Sequence, residues 1–92
     1  MKFIYPAVFS RTEEGTYTGR FPDLEGAIVF GETLEETVDE ANQAASDWIT
    51  AELMEEEAIL PPVSDTEDIP LKSGEIIRNI CVTIRFYEGW DE

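Results

Sequence analysis

Residues 21–41, FPDLEGAIVFGETLEETVDEA, hold Asp23, Glu25, Glu32, Glu35, Glu36, Asp39 and Glu40 and no base. Carboxylates this dense can serve three ends. Converging from different elements, they hold divalent cations, and a pair of such ions drives phosphodiester cleavage. Spread over one face, they attract a basic protein and speed its encounter. On a solvated face they only keep the chain soluble. The rest of the catalytic repertoire is thin. The chain has no histidine, the commonest general base and metal ligand. Its one cysteine, Cys81, sits in an alternating apolar run without a His partner, so a buried structural thiol is expected. No G-x-x-x-x-G-K-[ST], G-x-G-x-x-G or G-x-S-x-G segment occurs. The expectation is no catalytic residue, no cofactor and no metal.

The elements that must position these acids are legible in order. Residues 2–9, KFIYPAVF, read as a strand buried on at least one side. Pro6 cannot donate to a ladder, so an open edge or irregularity is expected there. RTEEG supplies a hairpin loop, and residues 16–21, TYTGRF, alternate as an antiparallel second strand. Pro22-Asp23 opens a turn that closes at Gly26, and residues 27–30, AIVF, form a short third strand. Thr33 and Glu36 make a T-x-x-E capping box, with the Glu36 carboxylate expected to return to the Thr33 amide. Leu34, Val38, Ala41, Ala45, Trp48, Ile49 and Leu53 then recur at helical steps, which predicts an amphipathic helix of about 20 residues. Residues 55–70 lose periodicity, with Pro61-Pro62 and Pro70 marking an irregular loop. After Gly74, Ile80, Val82, Ile84 and Phe86 alternate as the last strand.

The order β-β-β-α-β is α+β: a three-strand antiparallel meander, one long helix, and a further strand pairing with the first. A helical return acts as a crossover, so the last strand is expected parallel to the first. The order resembles the ribonuclease H fold, in which acids on the first strand, the helix and a later strand hold two Mg²⁺ ions. Here the first strand, Lys2 to Phe9, has no acid, and neither does the last, Ile80 to Tyr87. Helix carboxylates alone cannot surround a metal pair, which argues against a nuclease.

The 92 residues allow one domain, and the ten aromatics support a packed core. One cysteine excludes an intrachain disulfide. No apolar run approaches the ~18–20 residues that span a bilayer, and the N-terminus lacks the pattern of a signal peptide. A cytoplasmic protein is expected. The net charge is −15, and none of the six bases lies between residues 21 and 71. The acids outside that block balance the bases, so the block carries the whole net charge. Such a field repels phosphate backbones, arguing against direct nucleic-acid binding, and attracts basic proteins.

YPAVF at 5–9, FPDLEG at 21–26, GETLEE at 31–36 and LPPVSD at 60–65 together resemble the HicB antitoxin family. The likeness runs from about residue 3 to residue 86; each motif is short, and their order and spacing carry the specificity. It implies a degenerate ribonuclease-H-like domain without the metal triad, one that binds and blocks HicA, a small basic toxin that cleaves messenger RNA. Many members add a C-terminal DNA-binding domain. Here only Glu88 to Glu92 follow the last strand, so a single HicB-like domain without that addition is expected. Ala27 stands where the family often has cysteine, and Thr37 where it usually has alanine.

Individual residues then divide by role. Asp23 is expected to shape its turn by bonding nearby amides. Glu36 is expected to cap the helix, Trp48 to join the core, and Gly26 and Gly31 to meet backbone needs of the turns. Asp47, next to Trp48 and after small residues, is expected at the border of the buried face, where an acid can meet a cation from a partner. Glu36, Asp39 and Glu40 join it as an acidic surface, and these four are the expected partner-binding residues. Tyr87 and Trp90 are expected to be exposed. The function expected is an antitoxin that blocks a small basic HicA-like toxin, binding neither nucleic acid nor membrane. The alternative is an interaction or self-associating scaffold module without a toxin. Edge strands invite homo-oligomers without demanding them.

Overall fold

The computed structural model describes residues 1–84; Tyr87 and Trp90 lie outside them. The elements are β1 (Lys2–Arg11), β2 (Tyr17–Arg20), β3 (Ile28–Gly31), α1 (Leu34–Leu53), a single 3-10 turn (Thr66–Asp68) and β4 (Ile76–Thr83). The strands form one sheet in the order β3-β2-β1-β4, and α1 packs against β3, β4 and β2. The β-β-β-α-β order and the pairing of the last strand with the first are as the sequence implies.

The direction of β4 is not. It runs antiparallel to β1, with Lys2 opposite Thr83 and Phe9 opposite Ile76. The reason lies in the return path. Gly31 pairs with Tyr17, and Tyr17 with Arg11, so β3 ends where β1 ends. The 20-residue helix carries the chain back along the sheet, about 30 Å at 1.5 Å per residue. Residues 54–75 then cross the sheet a second time. Two crossings restore the starting end, so β4 enters beside Phe9 and runs down. It also begins at Ile76, earlier than the Ile80 expected from the alternation.

Alternation along β1 sets the core. Tyr5, Ala7 and Phe9 point to the helix, which answers with Thr37, Ala41, Ala45 and Ile49, all buried. The two alanines let the helix axis lie close to the strands. Leu34, Val38, Trp48 and Leu53 flank that strip, partly buried. Gly19 faces Phe9 across the hairpin, and a Cβ there would stand 2.7 Å from the Phe9 ring. The missing side chain is what admits the aromatic. Burial of a side chain such as Leu24 or Ile49, neither exposed at all, contributes roughly 1.5–3 kcal/mol.

Pro6 and Val8 point away from the helix and are buried too. Val8 lies between Arg20 on β2 and Ile77 on β4. The Arg20 guanidinium reaches over β1 to Glu75 at 3.0 Å, arching across Val8. The β2 ladder stops at Val8, so β1 is open on that side at Pro6, which meets the expectation from its missing N–H. Cys81 corrects another expectation. It pairs with Ile4 on this second face and is exposed, because Ile80 and Val82 take the core-facing positions.

Candidate protein-docking site

The helix start is fixed by its cap. Thr33 is extended and its hydroxyl accepts the Glu36 amide at 3.0 Å. The Glu36 carboxylate accepts from the Glu32 amide at 2.9 Å, one residue upstream of the Thr33 amide expected. It therefore ties the end of β3 to the first turn of α1. Glu35 and Glu36 both occupy that turn, where the helix dipole favours negative charge.

The same close junction explains Gly31 and Thr37. Thr37 is fully buried, and its hydroxyl donates to the Thr33 carbonyl at 2.7 Å. A Cβ on Gly31 would lie 2.8 Å from the Thr37 amide nitrogen. The helix thus meets β3 almost backbone to backbone. At the far end of the contact the Trp48 indole donates to the Glu25 carbonyl at 3.0 Å. Trp48 is half-buried and packs against the edge of the core, and its indole also brackets helix and turn. On the opposite flank the Asn42 amide donates to the Cys81 carbonyl of β4 at 3.1 Å.

These three anchors orient the helix acids. At ~3.6 residues per turn, Glu36, Glu40, Gln43 and Asp47 follow one another at steps of four, three and four and form one outer stripe. The stripe lies on the β3 flank, beside Thr37 and Trp48 and away from Asn42. All its members are exposed. Asp47 accepts from Gln43 at 2.9 Å; it stands out in solvent, beyond the border of the buried face where it was expected. Glu40 makes no hydrogen bond among the described residues. Asp39, three residues after Glu36 and four before Gln43, is exposed at the margin of the stripe nearer Asn42. The four expected residues thus share the outer face of α1.

Asp23 has a different task from the one expected. Its carboxylate accepts the amide of Ser64 at 2.8 Å and the Ser64 hydroxyl. The turn at 21–27 is held by its own backbone, with Leu24 N–H on Phe21 and Ala27 N–H on Leu24. Beside it, the Tyr5 hydroxyl donates to the Pro61 carbonyl at 2.6 Å. Burial, and then the Asp23 charge, push the Tyr5 hydroxyl above its ordinary pKa. Asp23 and Tyr5 together strap residues 61–64 to the sheet.

Among the described residues, no three Asp, Glu or Cys side chains are placed to share a cation. A depression of about 250 Å³ lies between β1, β2 and the helix start, lined by Phe9, Arg11, Tyr17 and Leu34 among others. None of the stripe acids lines it. Sequence reasoning missed Ile28 and Phe30. Both are largely exposed, on the sheet face away from the helix. A run of four apolar residues carries no sign of which two are buried.

The comparisons with known proteins agree with this architecture. The sequence model of the HicB-like antitoxins of bacterial toxin-antitoxin systems matches residues 5–83. The fold is similar to a toxin-antitoxin complex from Streptococcus pneumoniae, at 24% identity and TM-score 0.74, covering 90% of this chain and 70% of that one. It is similar to the N-terminal domain of the Burkholderia pseudomallei antitoxin HicB, at 16% identity and TM-score 0.75, covering 91% and 100%. At those identities the likeness is of fold alone. A HicA3 and HicB3 toxin-antitoxin complex is similar at 33% identity and TM-score 0.67, covering 89% and 100%. No curated protein sequence matches. A family match over residues 5–83, nearly the whole described chain, makes this chain a member of the HicB-like antitoxin family.

Proposed function

We propose that the chain is the antitoxin of a type II toxin-antitoxin pair, holding a small basic HicA-like, messenger-RNA-cleaving toxin in an inactive complex. The observation that carries this is the exposed stripe of Glu36, Glu40 and Asp47 on a member of the HicB-like family. Steric cover blocks the toxin, and the acidic field brings it in. The chain acts as a binding protein rather than an enzyme, in the cytoplasm where such a toxin meets its substrate. No helix among the described residues is long and apolar enough to cross a membrane.

Co-expression with a small basic HicA-like toxin from the same genome tests the reading. Growth is restored and the two proteins elute together. A toxin that stays lethal, with no complex formed, refutes it. Steering by charge also requires that added salt slow association more than it speeds dissociation.

A further inference from the structure

We infer that the free edge of β3 is the seat of the partner, and that it takes a strand whose residues alternate apolar and basic. The inference rests on the antitoxin reading and specifies where and how the toxin docks.

Four observations meet at this edge. First, β3 pairs with β2 alone among the described residues, so its outer backbone groups are open to another strand. Second, the edge is undefended. Natural sheets blunt open edges with charge, and β4 on the other side carries Arg78. Residues 27–31, AIVFG, carry none. Third, Ile28 and Phe30 are 59% and 69% exposed on the face away from the helix, a steep cost for a strand that nothing among the described residues covers. Fourth, α1 lies along the whole of β3, from Thr37 against Gly31 to Trp48 against Glu25. Its acidic stripe therefore borders the other face of the same edge.

Successive side chains of an added strand point to opposite faces. On one face they meet Ile28 and Phe30, which apolar residues satisfy. On the other they stand below Glu36, Glu40 and Asp47, which lysine or arginine satisfies. Main-chain bonds give such an addition affinity, and the alternate side chains give it specificity. The same charges argue against a second copy as the occupant. Joining two β3 edges would bring one acidic stripe beside another, and like charges across strands repel.

The test uses a small basic HicA-like toxin carrying an inactivating substitution, titrated against the intact chain and its variants. Ile28→Lys and Phe30→Lys change exposed side chains, and circular dichroism checks that both variants fold. Each is expected to weaken toxin binding about tenfold or more, as central anchors do. Ile4→Lys, on the same face but on β1, changes it less than about twofold. Amide hydrogen exchange is expected to slow across residues 28–31 in the complex. If the unaltered chain binds no toxin, both the antitoxin reading and the seat fall. If it binds, but Ile28→Lys and Phe30→Lys bind equally well, the seat is wrong and the antitoxin reading stands. If the free chain is a dimer that Phe30→Lys splits, the edge belongs to a second copy and the inference is overturned.

Discussion

Asp23 and Ser64, 41 residues apart, are joined twice: the carboxylate takes both the amide and the hydroxyl of Ser64. This joint decides the route of the long return segment. With Tyr5 on Pro61, it pins residues 61–64 beside the 21–27 turn, and the chain must then cross back before β4 can begin. The FPDLEG and LPPVSD motifs are thus two halves of one contact.

Asp23→Ala leaves the partly buried amide and hydroxyl of Ser64 without their acceptor. The expected loss is about 1–3 kcal/mol, read as a lower urea midpoint. Asp23→Asn keeps an acceptor oxygen and should fall between. An unchanged midpoint for the alanine variant would show that the strap is not held here.

Tyr5 makes stability fall at high pH. Its hydroxyl pKa is raised above 10.0, by burial first and the Asp23 charge second. The folded state therefore holds the proton more tightly. The contribution is complete below the unfolded value and is lost as pH rises through the folded one. Urea unfolding from about pH 8 to pH 11 should show a steeper loss for the wild type than for Tyr5→Phe. Parallel curves would remove Tyr5 as the source.

Glu75 works at the acid end. The Lys72 amide bond first, then the Arg20 hydrogen bond, hold its carboxyl below 4.5. Stability from this group is present above the unfolded value and is lost as pH falls through the folded one. Carboxyl resonances followed by NMR should show Glu75 titrating below its ordinary value of 4.5. Arg20→Gln should raise it only part of the way, since the backbone bond is the larger cause. A full return to the ordinary value would reverse that order.

Gly31→Ala forces a methyl into Thr37 at the helix-strand junction, where the amide nitrogen would be 2.8 Å away. Overpacking of this kind costs roughly 1–3 kcal/mol, measured by thermal or urea unfolding. Combining it with Thr37→Ala should recover only part, because the hydroxyl goes but the backbone stays. Additivity of the two losses would show that they do not share this contact.

Local chemistry made much of this legible beforehand. The T-x-x-E box sets the helix start because capping is a matter of four consecutive residues. The 3.6-residue recurrence of small and apolar side chains fixes which helix face is buried, and so which acids stand outside. The charge-free span from Ala27 to Gly31 and the base-free block around it are also plain in the sequence. What the tertiary structure alone decided involves residues far apart. The direction of β4 depends on a second crossing, which no local pattern encodes. The exposure of Cys81 follows from the register with β1, since one residue of shift exchanges the faces of a strand. Asp23 could be assigned to Ser64 only once the loop was placed. The junction of the helix stripe with the open β3 edge exists only because α1 lies along that strand.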